Sequence, residues 1–180
     1  MPDPEFILLG DAIWTDFLNT ERGTGTEARE RLTDLAAYHR WVKAGKLTSD
    51  ASTVGLDDVL LLRDQLSRLA GALIDGKPAP TASITAINSI LASTPGSHQL
   101  VRVKGDWHQR FTPADPPTAF DAIARSAART LSDRHSVLRQ CLGEGCSLVL
   151  IDSTPQHTRV SCRPATCGSR PRIDRRRPSR

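Results

Sequence analysis

Cys141-Leu-Gly-Glu-Gly-Cys146 and, beyond a 15-residue insert, Cys162-Arg-Pro-Ala-Thr-Cys167-Gly-Ser-Arg170 decide how the end of this chain folds. All four cysteines of the 180-residue sequence fall within these 27 residues. A zinc ion takes four soft or borderline ligands at the corners of a tetrahedron, and thiolates satisfy it. Two close pairs joined by one hairpin bring four sulfurs together at a small loop-closure cost. The insert suits a hairpin: residues 147–151 are β-rich, 152–156 carry turn residues, and 158–161 can return antiparallel. The second pair then opens a short helical segment near Gly168. A hairpin followed by a short helix around one structural zinc is a treble-clef-like finger. A segment of about 40 residues buries too little core to fold alone. Zinc binding of about 10 kcal/mol or more in finger peptides makes up the deficit.

Two disulfides, or four unpaired buried thiols, are the competing reading of the same cysteines. The acidic start Met1-Pro-Asp-Pro-Glu5 lacks the positive charge of a signal peptide, so a reducing compartment is expected and disulfides are disfavoured. His157, in the turn between the pairs, could replace one thiolate, although four already fill the shell.

Charge divides the chain at the same place. Residues 1–140 carry 16 Lys and Arg against 17 acids, while residues 141–180 carry 8 Arg against 3 acids, so the overall +4 comes from a C-terminal segment at +5. Such a segment attracts polyanions, nucleic acid first among them. The excess of Arg over Lys, 20 to 4, suits a GC-rich bacterial genome. No apolar run approaches the roughly 20 residues that span a bilayer, and a cytoplasmic, nucleoid-associated protein without membrane partners is expected.

Working toward the N-terminus, residues 119–138 read as a helix with the face Phe120, Ile123, Ala127 and Leu131. Residues 99–103 and 106–111 form a hairpin around Lys104-Gly105. Thr81 caps a helix with Ile84, Ile87 and Leu91 in line. The clearest helix covers 56–74, where Val59, Leu62, Leu66, Leu69 and Leu73 form an apolar stripe and Asp57, Asp58, Arg63, Asp64 and Arg68 lie largely off it. Leu32, Leu35, Tyr38 and Val42 mark another helix, stopped by Gly45. Asp11 caps a helix over 12–19, and 6–9 reads as a short strand. The fold class is mainly α with a small β-sheet over 1–140, followed by the zinc finger at 141–180. Trp14 and Trp41 are read as core residues.

These residues resemble the CGNR zinc finger, whose Cys-Gly-Asn-Arg signature stands here as Cys167-Gly168-Ser169-Arg170. Its aspartate after a hydrophobic strand is matched by Asp152, its arginine before the third cysteine by Arg159, and its later basic residue by Arg172. The N-terminal part resembles the companion ABATE domain, through Asp16-Phe17-Leu18-Asn19-Thr20 and Trp41 followed by Gly45-Lys46-Leu47. The sequence departs from the finger pattern at Leu150, Ser161 and Ser169, where phenylalanine, tryptophan and asparagine are usual. The resemblance implies a stress-related transcription regulator whose finger binds DNA.

Under that reading Arg159, Arg163, Arg170, Arg172, Arg175, Arg176 and Arg177 contact phosphates or, in one or two cases, a base edge. Residues 1–140 sense a small molecule or form a homodimer. Asp16 and Asn19, three apart on one helix, either line a pocket or brace the fold. The competing function is a zinc-stabilised protein-interaction module without sequence-specific DNA binding. Catalysis is not expected, because four thiolates leave no open position on the metal and no catalytic constellation stands out.

Overall fold

The computed structural model describes residues 5–23, 29–50, 54–163 and 167. Five helices and two antiparallel two-stranded sheets follow in the order α1 (Ile13–Leu18), α2 (Leu35–Ala44), α3 (Leu56–Ile74), α4 (Thr81–Ser93), β1 (Gly96–Val103), β2 (Asp106–Pro113), α5 (Ala119–Ser132), β3 (Val137–Gln140) and β4 (Val149–Asp152).

The central helix α3 has the expected bounds, and Val59, Leu62, Leu66 and Leu69 of its stripe are buried. The Asp58 carboxylate accepts from the Gly55 N–H at 2.8 Å and closes its first turn. Around α3 a single core gathers Trp14, Phe17 and Leu18 of α1, Tyr38, Trp41 and Val42 of α2, Ile87 of α4 and Ile123 of α5. Phe17 and Trp41 pack with ring centroids 5.2 Å apart. Both early tryptophans belong to this core.

One residue expected on the solvent side of α3 is inside. Arg63 is only 5% exposed. Its guanidinium donates to both Glu30 carboxylate oxygens and to the Thr20 hydroxyl. Burial alone would push the Glu30 carboxyl up, but hydrogen bonds from Arg63 and from the Leu32 amide hold it below the usual range. The buried cation is compensated by the Glu30 carboxylate and hydrogen-bonded to it and to the Thr20 hydroxyl.

Several boundaries shift for local reasons. Helix α1 starts at Ile13 after Ala12, and Asp11 does not cap it; that carboxylate is engaged elsewhere, as described below. Asp34 caps α2 by accepting from the Ala37 N–H at 2.7 Å, so Leu32 lies before the helix. Thr81 is the first residue of α4 rather than its cap. The β1–β2 hairpin turns through Lys104 and Gly105 at φ of 51° and 100°, a two-residue loop with left-handed backbone at both positions.

The largest difference concerns the pairing around the cysteines. Helix α5 ends at Ser132, and residues 137–140 form β3. Strand β4 pairs with β3 in the register Val137↔Asp152 to Gln140↔Val149, not with residues 158–161. The 158–161 segment instead meets the first cysteine loop, where the Leu142 N–H donates to the Val160 carbonyl at 2.9 Å. Strand β4 is buried on both faces, with Val149 in the main core and Leu148 and Leu150 in a second cluster with the cysteines. Residues 6–9 form no ladder. They are sandwiched in the same way, Phe6 and Leu8 against the main core and Ile7 and Leu9 against the cysteine cluster.

Leu66→Ala is expected to cost about 2–5 kcal/mol, read as a lower urea midpoint with zinc still bound one to one.

Candidate metal centre

The four cysteines come from two short loops. Cys141 follows β3 directly, and its N–H donates to the Leu148 carbonyl at 2.9 Å, the last rung of the β3–β4 ladder. A tight turn brings in Cys146, whose N–H donates to the Gly143 carbonyl at 3.0 Å. Cys162 follows the segment that crosses the first loop, and the Cys167 N–H donates to the Arg163 carbonyl at 2.9 Å.

All four Sγ atoms lie within 4.8 Å of one another. Cys146 and Cys162 are 3.9 Å apart at sulfur, Cys162 and Cys167 3.5 Å. A tetrahedral zinc with Zn–S near 2.3 Å demands sulfurs about 3.8 Å apart. The thiols are all free and buried, and a disulfide would need about 2.05 Å, so neither bridge is present. His157 is not among the clustered ligands.

The surroundings suit thiolates. Backbone N–H groups of Gly143 and Cys162 donate to the Cys141 sulfur at 3.4 and 3.2 Å, which stabilises charge on it. Hydrogen bonding with Cys146 holds the Cys162 thiol down, while burial pushes Cys167 up. Cys146, hydrogen-bonded to Cys162, is shifted upward. Four sulfurs that compete for protons are satisfied together by one divalent cation, so the residues fit a single structural zinc ion. Bound there, zinc cross-links the two loops.

Gly143 makes the approach feasible. A Cβ at this position would lie 2.6 Å from the Cys167 Cβ and 2.8 Å from its sulfur, so only glycine lets the two loops close to ligand distance.

A polar network ties this centre to the helical core. Asn19 follows the last residue of α1 and is 1% exposed. Its side-chain NH2 donates to the Val149 carbonyl and its oxygen accepts the Val149 N–H, both at 2.9 Å. The amide thus stands in for a neighbouring strand on the edge of β4 away from β3. Asp11 continues that edge, accepting from the Ile151 N–H at 3.3 Å and pairing with the Arg159 Nη1 at 2.6 Å. Arg159 is committed inward, donating also to the carbonyls of Ile151, Ser161 and Cys162. Asp152, fully buried, accepts from the Thr154 hydroxyl, the Arg159 N–H and Arg139. Burial pushes its carboxyl up, and these donors more than offset that.

The other candidate residues divide. Asp16 accepts from the N–H groups of Leu9 and Gly10 at 2.7 and 3.2 Å, and burial pushes its carboxyl up to about 6. It also borders a cleft between α2 and α5. Asn19 does not border that cleft; its side chain is spent on Val149. Arg163 is exposed beside Cys162 and donates to the Leu8 carbonyl. Arg170, Arg172, Arg175, Arg176 and Arg177 lie outside the described residues, as does the expected terminal helix beyond Cys167. Sequence reasoning missed the Asp11–Arg159 pair, the Asn19 clamp and Gly143. The signal for the clamp was present in Asp16-Phe-Leu-Asn-Thr20, whose polar residues recur three apart.

A buried four-thiolate cluster set on a β-hairpin and braced by a helical domain defines a zinc-finger protein of the all-cysteine kind. A family model for ABATE, described as "Putative stress-induced transcription regulator", matches residues 11–134, and a model for the CGNR zinc finger matches 138–179. The chain belongs to the ABATE family and carries a C-terminal CGNR zinc finger. No curated protein matches it.

Two substitutions separate the metal from its brace. Gly143→Ala is expected to weaken zinc binding by about tenfold or more, because displaced ligation costs upward of about 1.4 kcal/mol; competition with a chromogenic chelator reads this. Asn19→Ala strands the Val149 N–H and C=O in a buried site, which costs about 2–5 kcal/mol of stability. Its urea midpoint falls, while folded protein in excess zinc still binds one ion.

Proposed function

We propose that this protein is a transcription regulator that binds DNA through its zinc-stabilised, basic C-terminal segment. The observation that carries the reading is the fusion of a buried four-thiolate cluster to a segment of net charge +5. The family description points the same way. Zinc here is structural: four thiolates fill its shell, and no catalytic role is assigned to the chain.

Arg159 drops out of the contact set, since its guanidinium is consumed by Asp11 and three carbonyls. Its part is to position the loop that carries Cys162. Arg163, Arg170, Arg172, Arg175, Arg176 and Arg177 remain as the phosphate- and base-facing arginines. The ABATE domain braces the finger and acts as the sensing part of the regulator. Among the described residues no helix is long and apolar enough to cross a membrane.

Fluorescence anisotropy on a labelled duplex tests this. Six phosphate contacts give a log–log salt dependence with a slope of about −5. Reversing the charge at Arg175, Arg176 and Arg177 together should weaken binding on all sequences alike and bring the slope to about −2 to −3. Zinc-loaded, folded protein with no salt-dependent affinity for DNA would leave the finger as a protein-docking module.

A further inference from the structure

We infer that the cleft between α2 and α5 is a binding site for a small organic carboxylate with an apolar body. The cleft holds about 700 Å³, within the range of small-molecule sites. Leu8, Ile13, Trp41, Leu47 and Ile151 supply apolar lining. A hydrated inorganic anion gains nothing from such walls, whereas an aromatic or branched acid does.

The polar groups around the cleft are unequally satisfied. Lys46, Arg125 and Arg129 border it, and none is in an ion pair among the described residues. Arg125 and Arg129 are one turn apart on α5 and so share a face. The Arg125 guanidinium lies over the Phe111 ring, 4.9 Å from its centroid, which fixes its stem. Its Nε is buried without a hydrogen-bond partner, and so is the Nε1 of Trp41, a residue only 1% exposed. The carboxylates on the same walls already have donors: Asp11 has Arg159, Asp16 has the Leu9 and Gly10 amides, and Asp133 has Ser136 and the His135 amide. Two buried donors among the lining residues thus lack an acceptor, while each of the three carboxylates has donors. A ligand that brings acceptors satisfies these donors, and a carboxylate does so while pairing with Lys46, Arg125 or Arg129, which have no ion-pair partner among the described residues.

This inference rests on the sensing role proposed for the N-terminal domain, and binding is read without DNA, so that it and the DNA-binding reading fail separately. The probe is 2-naphthoate, with uncharged 2-naphthamide as its isostere, titrated calorimetrically into the zinc-loaded full chain. Expected are a one-to-one complex with submillimolar 2-naphthoate and an affinity for the amide lower by about tenfold. Arg129→Gln, at an exposed position, should weaken naphthoate about fivefold or more while leaving the unfolding midpoint in place. Ala122→Trp, which fills the cleft from α5, should abolish binding. Equal affinity for acid and amide, unchanged binding in both variants, or no binding at millimolar naphthoate would each overturn the assignment.

Discussion

The two hydrogen bonds between the Asn19 side chain and the main chain of Val149 hold the molecule together as one unit. A strand edge with unmet N–H and C=O groups cannot be buried without penalty. Strand β4 must nevertheless be buried, because Val149 completes the helical core while Leu148 and Leu150 complete the cysteine cluster. One primary amide offers a donor and an acceptor at the spacing of a peptide group, so it closes this edge where no further strand is available. Asp11 and Arg159 then complete it at Ile151, one from each part of the chain. The finger is therefore not a bead on a string. Its first loop inherits its geometry from β4, and β4 inherits its position from α1.

This arrangement couples metal binding to the fold of the helical core. A four-thiolate site exists only when both loops are in place, so the binding free energy of the metal is also folding free energy. Part of that energy is delivered to the helical core through β4 and through residues 6–9, which present alternate side chains to the two clusters. In return the helical core preorganises two of the ligands. Cys141 is fixed by the β3–β4 ladder and Cys162 by a loop that Arg159 holds from within. The metal then draws Cys167 against Gly143, where a Cβ would stand in the way.

Much of this was legible in the sequence wherever the determinants are local. The stripe on α3 and the Lys104-Gly105 turn each specify their own element within a few residues and stand in the structure as read, and the four cysteines cluster as read although the hairpin expected between the pairs does not form. The partner of β4 was not legible. Residues 158–161 and 137–140 are both short and β-compatible, and the choice between them is made by burial against α3 and the Asn19 clamp, which is 130 residues away in the chain. Arg63 misled for the same reason: a charged residue beside an apolar stripe reads as solvent-facing until Glu30 and Thr20 arrive from elsewhere. Arg159 looked like a nucleic-acid contact because charge is visible in a sequence and an internal acceptor set is not.

The departures from the finger pattern can be weighed in the same physical terms. Leu150 is fully buried among the cysteine cluster; a branched aliphatic side chain fills that position at the cost of some aromatic contact area, and the ligands do not depend on it. Ser161 enters the network through its carbonyl, which accepts from Arg159. Any residue supplies a carbonyl, so replacing tryptophan there leaves the Arg159 network and the Cys162 loop intact. What serine removes is a large side chain on a partly exposed surface beside the metal loops. The zinc-holding and DNA-holding requirements of the finger are thus separable. The first is met by four sulfurs, one glycine and an inward arginine; the second, on the reading proposed above, falls to the flanking arginines. On that reading the arginines pair with phosphates or with a guanine edge, and neither contact needs an adjacent aromatic. The same substitutions that leave the metal site whole therefore leave that proposed arginine contact set in place.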